Sequence, residues 1–431
     1  MLPYPKTDYP RSRLTHTNEV SDCGRELARM IGRKLAEMGE IETTQIAMIE
    51  DIVAAACKAH DLGNPPFGHS GEYAIRDWGK TVFHSQKNPA FAGVSKKMRE
   101  EIANFDGNGQ GFRIITETSG WRNRGGLQLT NAVLAAFCKY PWTSEIAGEN
   151  KSKYSIPCHR ADFAKHIFDN VGLSPISKKG QPLKYVRHPL AYIVEAADDI
   201  SYITSDLEDA ARAEVKSTTE IIEHLDRIAE GALNDPTLWG DFVRRREQIK
   251  NDPKGLLRYS KDHAQRALKV ASLNAFISNI DLIMNGSGIK SLLDVSTVAT
   301  VVNSAKKYMR ENIYDSVDKV RHEVFGCRVV QNLMDFYANA LFEFRDQVHA
   351  GRTFEVGDKT IDEVLRRFVI TFPLDNYISS SDEETTTDFI RNSSPDDLMR
   401  MVLDFVSGMT DQYAVTIYRQ ISGIERPDAT W

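Results

Sequence analysis

Apolar residues along much of this chain recur every three or four positions, which is the spacing of an amphipathic α-helix. From Arg13 onward the small and apolar positions of this pattern are Val20, Cys23, Gly24, Leu27, Met30 and Ile31. The same spacing predicts a second helix from about Gln45 to Ala59 and a long helix from Pro189 to Ala211. His16 would then lie in the first turn of the first helix, and His60 would directly follow the second.

Helical spacing also dominates the rest of the chain. Shorter helices are predicted near residues 130–138 and 160–171, and later amphipathic patterns cover residues 217–234, 237–250, 261–284, 315–349 and 397–421. The alternation of apolar and polar residues that is typical of β-strands is scarce, and no internal repeat is found. We therefore predict an all-α fold, in which a helical core is elaborated by a second set of helices.

Three segments depart from this spacing. Residues 1–12 contain three prolines and are expected to be extended. Residues 73–130 mix short amphipathic pieces with glycine-rich turns at 104–113 and 119–126. Residues 145–185 are polar and rich in lysine, which indicates either a solvated surface or a rim that attracts anions. We expect a catalytic core over residues 1–215, with an insertion at about 145–185, and a helical region over 216–431 that packs on the core and closes the pocket.

Composition narrows the function classes. The chain has 431 residues, 41% of them hydrophobic, and a formal net charge of -6, which argues against broad binding to polyanions through overall charge. Its five cysteines are scattered without any Cys-x-x-Cys spacing, which fits a reduced compartment. No apolar run approaches the roughly 20 residues of a membrane span, and the N-terminus lacks a charged-then-apolar leader. We expect a cytoplasmic protein without a membrane partner.

Residues 57–72 concentrate the polar chemistry of the chain. His60 and Asp61 lie between a predicted helix and a loop rich in proline and glycine, and an imidazole beside a carboxylate suits a divalent ion such as Mn, Fe, Co or Mg. His69 and Glu72 follow at the three-residue spacing of one helix face. A His-Asp pair alone is weak evidence, because most such pairs are surface or capping residues.

The helix predicted at residues 189–211 carries a second polar pattern. Asp198, Tyr202, Asp206 and Asp209 recur along one side of an otherwise apolar sequence. Like charges on one helix face repel each other, so the stripe indicates a bound cation or sugar hydroxyl; a solvent-exposed acidic face is the alternative. His16, His60, Asp61 and Asp198 together would supply two imidazoles and two carboxylates, which is a donor set for hydrolytic metal catalysis.

The order of these residues resembles the HD-domain phosphohydrolases, and longer phrases resemble the bacterial deoxyguanosinetriphosphate triphosphohydrolases (dGTPases) among them. The phrases that carry the resemblance are Arg-Leu-Thr-His-Thr-x-Glu-Val (13–20), His-Asp-Leu-Gly-Asn-Pro-Pro-Phe-Gly-His-x-Gly-Glu (60–72), Asn-Phe-Asp-Gly-Asn-x-Gln-Gly (104–111), Lys-Tyr-Pro (139–141), Glu-Ala-Ala-Asp-Asp-Ile-x-Tyr (195–202) and Gly-Met-Thr-Asp-x-Tyr-Ala (408–414). The resemblance implies an HD-domain fold and hydrolysis of dGTP, or of other dNTPs, at the α-phosphorus to a deoxynucleoside and tripolyphosphate.

Roles for individual residues follow from the resemblance. The metal ligands would be His16, His60, Asp61 and Asp198, holding Mg or Mn, with Co, Fe or Ni as further candidates. His69 would be the general acid or base with Glu72 as its partner, and Arg13 and Lys139 would contact phosphate oxygens. Tyr202 would pack under the deoxyribose and exclude ribonucleotides, and Asp206 would bind the 3′-hydroxyl. The resemblance assigns no residue to the base. Tyr413, Tyr418 and Arg419 are candidates for closing the pocket, although their aromatic rings fit core packing equally well.

The resemblance also implies partners and leaves alternatives. Relatives form homo-oligomers, commonly hexamers, and some bind single-stranded DNA. Relatives usually carry some dozens of residues ahead of the Pro-Arg-Ser-Arg segment at 10–13, so we expect either a short form or a chain that lacks that segment. The remaining alternatives are another HD-type hydrolase, such as a 5′-nucleotidase or phosphodiesterase, and a regulator that binds single-stranded nucleic acid.

Overall fold

A computed structural model describes residues 13–84, 91, 93–118, 125–150, 152–232, 236–286, 288–314, 317–351, 372 and 386–424. Residues 1–12, which the sequence predicts to be extended, and most of the predicted turn at 119–126 lie outside the described residues. Within the described ranges the chain is helical, and its only β-type pairings are three isolated bridges. The predicted all-α fold is therefore confirmed.

Seventeen α-helices lie within the described residues. They are α1 (Arg13–Glu37), α2 (Ile46–Ala59), α3 (His69–His84), α4 (Lys96–Ala103), α5 (Gly107–Arg113), α6 (Asn131–Phe137), α7 (Ala161–Asn170), α8 (Pro189–Arg212), α9 (Thr218–Ala232), α10 (Pro236–Gln248), α11 (Pro253–Ser278), α12 (Ile280–Met284), α13 (Ala299–Met309), α14 (Val317–His349), α15 (Thr386–Asn392), α16 (Pro395–Ser407) and α17 (Asp411–Ile421). Among these described residues, no helix is both long enough and apolar enough to cross a membrane.

Helix α8 forms as predicted because its start carries a strong signal. Pro189 occupies the first turn, where the missing backbone N–H costs nothing, and His188 caps the helix by accepting a hydrogen bond from Leu190 N. The prediction for α11 begins too late. The helix starts at Pro253 rather than near residue 261, because the side chain of Asp252 caps it and Pro253 again lies in the first turn.

Two other predictions are corrected. Residues 104–113 were expected to form a glycine-rich turn, but Asp106 caps a helix, α5, that begins at Gly107. A single helix was expected over 397–421, but the chain forms α16 and α17, and Thr410 caps the second by accepting a hydrogen bond from Tyr413 N. In both cases a short polar side chain satisfies the first backbone N–H groups of a helix, a feature that hydrophobic spacing does not report.

The chain forms two compact units, each assembled from three stretches. Unit 1 comprises the described parts of Met1–Asp61, Leu129–Trp142 and Ala161–His322, and unit 2 comprises those of Leu62–Gln128, Thr143–Arg160 and Glu323–Trp431. Helices α8 and α9 both belong to unit 1, so neither unit ends near residue 215.

In unit 1 the helices α1, α2 and α8 pack against one another, and α11 packs on α9, α8 and α1. Their apolar stripes are fully buried, with Val20, Leu27, Val53, Ile200 and Leu268 each 0% exposed. Burial of such side chains contributes roughly 1.5–3 kcal/mol each relative to exposure. This core fixes the three helices that carry the predicted metal ligands.

In unit 2 the core joins parts of the chain that are distant in sequence. Ile75 and Trp78 of α3 lie in one buried cluster with Tyr337 and Phe342 of α14 and with Leu398 of α16.

Residues 73–130 were predicted to mix short amphipathic pieces with turns. Helices α3 and α4 account for amphipathic pieces of this segment.

Candidate metal centre and its surroundings

Three of the predicted ligands converge within unit 1. One ligand atom each from His16, His60 and Asp61 lies within 4.8 Å of the others, and the two imidazole rings are 5.6 Å apart, centroid to centroid. Asp198 Oδ1 lies 3.4 Å from His16 Nε2 and 3.5 Å from His60 Nε2. The fold therefore gathers all four residues from α1, the end of α2 and α8.

The orientation of His60 suits a metal ligand. Its Nδ1 lies 2.7 Å from the carbonyl oxygen of Cys57 and donates a hydrogen bond to it, which directs Nε2 toward Asp61 and Asp198. Nε2 is buried, and among the described residues it has no hydrogen-bond partner. A buried ring nitrogen that faces two carboxylates is the arrangement that a cation satisfies.

The electrostatics of the centre favour positive charge. Burial opposes protonation of His60, but attraction to Asp198 and Asp61 outweighs it and raises the pKa of His60 to about 9. Burial would raise the pKa of Asp198, but contacts with His16 and His60 and the charge of Lys139 hold that pKa well below its usual range. Asp198 is therefore a carboxylate and available to a metal.

The spacing of the donor atoms fits a divalent ion. Bonds of about 2.0–2.2 Å to nitrogen and oxygen, at angles near those of a tetrahedron or octahedron, separate neighbouring donor atoms by roughly 3.0–3.5 Å. The distances of 3.4 Å between His60 Nε2 and Asp61 Oδ1 and between His16 Nε2 and Asp198 Oδ1 fall in that range. Two imidazoles with two carboxylates are donors suited to Mn, Fe or Co and, through the carboxylates, to Mg.

A glycine allows the three ligand-bearing helices to approach. A Cβ atom at Gly24 of α1 would lie 2.6 Å from Cys57 Sγ and 3.2 Å from Val53 on α2, and 3.4 Å from Ala197 on α8. The side chains at this junction are therefore small where the helices meet. Gly24 follows His16 by two helical turns, so the same close approach helps to bring the ligands together.

Two cations lie near the centre on a shared carboxylate. Lys139 Nζ is 3.1 Å from Glu195 Oε1, and Arg187 Nη1 is 2.7 Å from Glu195 Oε2. Burial opposes the charge on Lys139, but Glu195 and its neighbours raise the pKa of Lys139 above its usual value, so it is a cation. Arg13, the other predicted phosphate contact, opens α1 three residues before His16. Glu195 was not predicted, although its position one helical turn before Asp198 was a usable signal.

The predicted sugar contacts have a neighbour that the sequence did not reveal. Tyr202 stacks on Tyr314 with ring centroids 5.9 Å apart, and the Tyr314 hydroxyl donates a hydrogen bond of 2.5 Å to Asp206 Oδ2. Asp206 is 9% exposed, which argues against the alternative of a solvent-exposed acidic face at this point of the stripe. Burial raises the pKa of Tyr314, so its hydroxyl remains a donor at neutral pH. Spacing along the chain does not predict the contact between Tyr314 and Asp206, because more than a hundred residues separate them.

The predicted catalytic pair belongs to unit 2. His69 begins α3 and is exposed. Glu72 is buried, and it accepts hydrogen bonds of 2.8 Å from Gly107 N and 3.2 Å from Arg76 Nη2. The roles of His69 and Glu72 stay predictions.

The candidates for closing the pocket lie on α17. Tyr413 is 43% exposed, whereas Tyr418 packs against the core of unit 2. Tyr418 is therefore explained by packing, and the role of Tyr413 and Arg419 stays a prediction.

Comparison with known proteins adds a second kind of evidence. Residues 362–420 match the phosphohydrolase-associated domain. A protein of Listeria monocytogenes named deoxyguanosinetriphosphate triphosphohydrolase-like protein is 27% identical, covering 98% of this chain and 89% of the relative. A Pseudomonas aeruginosa protein of the same name is 29% identical, covering 99% and 88%. The deoxyguanosinetriphosphate triphosphohydrolase of Salmonella schwarzengrund is 28% identical, covering 99% and 90%.

These matches extend over nearly the whole chain, and the described residues contain the clustered His16, His60 and Asp61. The chain is therefore similar, over nearly its whole length, to deoxyguanosinetriphosphate triphosphohydrolases and to proteins named as like them, and part of it matches a phosphohydrolase-associated domain.

Proposed function

We propose that the chain catalyses metal-dependent hydrolysis of dGTP at the α-phosphorus, releasing deoxyguanosine and tripolyphosphate, with other dNTPs as further substrates. The observation that carries this proposal is the convergence of two imidazoles and two carboxylates from three helices of unit 1. The name of the Salmonella relative supplies the substrate.

His16, His60, Asp61 and Asp198 would hold the ion, with Mg or Mn as the first candidates and Co, Fe or Ni as further ones. A bound divalent ion supplies an acidified water and polarises a phosphoryl oxygen. The protein's part is to keep the four donor atoms at a fixed spacing, because three of the ligands lie on or directly after packed helices.

The cations near the centre would receive the triphosphate. Lys139 is held within 3.1 Å of Glu195, so binding of a phosphate oxygen would replace or share an existing ion pair. Arg13 would add a planar guanidinium from the start of α1.

The stacked tyrosines would read the sugar. Tyr202 would occupy the space of a 2′-hydroxyl, and Asp206 would accept a hydrogen bond from the 3′-hydroxyl. The Tyr314 hydroxyl already donates to Asp206 and so fixes the orientation of this carboxylate. His69 would transfer a proton to or from the reacting group as general acid or base, with Glu72 orienting it.

The assembly and a second ligand are further proposals by resemblance. We expect a homo-oligomer, with the hexamer of relatives as the first candidate, and single-stranded DNA as a candidate second ligand. Light scattering after size exclusion tests the first. The second predicts a DNA affinity that falls steeply with salt.

The deciding experiment incubates the protein with dGTP, and in parallel with GTP, in the presence of Mn or Mg. Anion chromatography then identifies the phosphate product. Tripolyphosphate from dGTP, with GTP unchanged, is the expected result. Orthophosphate would favour another HD-type hydrolase, and no product from any dNTP would favour the nucleic-acid-binding alternative.

A further inference from the structure

The carboxylate of Glu72 is held at both oxygens inside unit 2. Oε1 accepts a hydrogen bond of 2.8 Å from Gly107 N, and Oε2 accepts one of 3.2 Å from Arg76 Nη2. The residue is only 4% exposed. A buried carboxylate with two fixed donors has little freedom to rotate, so its direction is set by its partners.

Arg76 is itself fixed at two points. Its Nε donates a hydrogen bond of 2.6 Å to the carbonyl oxygen of Phe105, while Nη2 reaches Glu72. It is 8% exposed, and it lies four residues after Glu72 on α3. The guanidinium therefore links α3 to the segment that leads into α5, and it makes the two bonds from two separate nitrogens of its planar fork.

The glycines of this region keep the second donor in place. A Cβ atom at Gly107 would lie 2.4 Å from Asn64 Oδ1 and 3.0 Å from Glu72 Oε1. A Cβ atom at Gly63 would lie 2.0 Å from the carbonyl oxygen of Gly107. The loop before α3 thus lies directly against the start of α5, which brings the Gly107 N–H within reach of Glu72.

Another cation completes the surroundings. Lys153 Nζ lies 2.9 Å from Asp106 Oδ2 and 3.7 Å from Glu72 Oε2. Lys153 is therefore engaged mainly with Asp106, and Arg76 is the closer cation to Glu72.

We infer that Arg76 is a positioning residue for the reaction, acting through Glu72 on His69. The inference rests on the proposed function. His69, Glu72 and Arg76 recur at i, i+3 and i+7 and so share one face of α3. Arg76 fixes the rotamer of Glu72, and Glu72 in turn orients the imidazole one turn earlier.

The test is a double-variant cycle with Arg76→Lys and Glu72→Gln, made alone and together in the full chain. Lysine keeps the charge but offers one nitrogen in place of the two with which Arg76 bonds Phe105 O and Glu72. We expect Arg76→Lys to lower kcat for dGTP about 10–100-fold, the range found for outer partners that orient metal ligands, with KM and Mn affinity unchanged. In the Glu72→Gln background the same substitution should change kcat less than about twofold, because the residue it acts through is already altered.

Arg99→Lys is the matched control. Arg99 lies in the same unit and its Nε also donates to a backbone carbonyl, Val94 O, at 2.9 Å. Arg99→Lys should keep the wild-type kcat. Wild-type kcat for Arg76→Lys, an equal loss for Arg99→Lys, or losses that multiply in the double variant would each overturn the inference.

A second measurement separates this inference from the proposed function. Hydrogen–deuterium exchange of the peptide spanning residues 104–111 reports on the Gly107 N–H that Glu72 binds. Arg76→Lys and Glu72→Gln should both speed its exchange, and Arg99→Lys should not. If the wild-type protein hydrolyses no dNTP, the proposed function fails while faster exchange still supports the hold of Arg76 on Glu72. Unchanged exchange would overturn the inference that Arg76 fixes Glu72, whether or not the wild-type protein hydrolyses a dNTP.

Discussion

Acid should weaken the start of α8, the helix that carries Asp198. His188 caps this helix, and its Nδ1 accepts a hydrogen bond of 3.2 Å from Leu190 N. An imidazole nitrogen can accept a hydrogen bond only while it carries no proton. Burial lowers the pKa of His188 from 6.5 to about 4, so the ring is neutral in the folded protein at pH 7.

The sign of the effect follows from proton binding. Because the pKa of His188 is lower in the folded state, the unfolded chain binds more protons between the two pKa values, and the free energy of unfolding falls as the pH drops. The loss begins as the pH falls through the unfolded value of 6.5 and is complete below about 4. One pKa unit corresponds to about 1.4 kcal/mol. The full loss is therefore about 3 kcal/mol, of which about 2 kcal/mol has occurred at pH 5.

The assay is urea unfolding of the full chain, followed by far-UV circular dichroism, at about pH 7.5 and about pH 5. His188→Asn is the matched variant, since asparagine caps helices well and does not titrate. The wild-type protein should lose about 2 kcal/mol more than His188→Asn between the two pH values. His188→Ala should be about 1 kcal/mol less stable than His188→Asn at both pH values, because alanine does not cap the helix. Equal losses for the wild-type protein and His188→Asn would refute the reasoning.

Three other predictions concern the centre and its support. His60→Ala or Asp198→Ala should abolish turnover and lower Mn affinity, measured by calorimetry, by more than the 10–100-fold typical of outer ligand partners, with the circular dichroism spectrum retained; Mn affinity like the wild type would remove them from the ligand set. His69→Ala should keep Mn affinity and lower kcat by about 10²–10⁴, and wild-type turnover would end its assignment as acid or base. Gly24→Ala should cost about 1–3 kcal/mol in urea unfolding, because its methyl would lie 2.6 Å from Cys57 Sγ. The double variant Gly24→Ala/Cys57→Ala should lose about 1 kcal/mol less than the sum of the losses of the two single variants. Losses that simply add would argue against a contact between the new methyl group and Cys57.

Hydrophobic spacing predicted the long helices but not their ends. The helix from Pro189 was clear because a proline in the first turn precedes an unbroken apolar pattern. The start of α11 was missed because a proline considered alone indicates a helix break, whereas Pro253 follows a capping aspartate and lies in the first turn. Helix α5 was missed because Gly107 and its neighbouring glycines indicate a turn when considered alone. These glycines are needed for tertiary packing, because a side chain at Gly107 would collide with Asn64.

The candidate site shows the same division. His16, His60, Asp61 and Asp198 could be named because together they form a donor set whose order along the chain resembles the HD-domain phosphohydrolases, and the fold brings them within ligand distance. Tyr314 could not be named, because its contact with Asp206 joins distant parts of the chain. Arg76 carried a local signal, the four-residue spacing from Glu72, but that spacing is common among surface ion pairs. Only the burial of Arg76 distinguishes it from such surface pairs.

The interleaving of the two units bears on how the chain is made. The core of unit 2 joins Ile75 and Phe105 to Val329 and Leu398, which emerge from the ribosome only after on the order of 200 further residues. At about 5–20 residues per second, α3 to α5 wait roughly 10–40 s with their apolar faces uncovered. During that interval they are exposed to aggregation and to chaperones. Neither unit is one contiguous stretch of the chain, so cutting the chain at any single point would leave at least one unit incomplete.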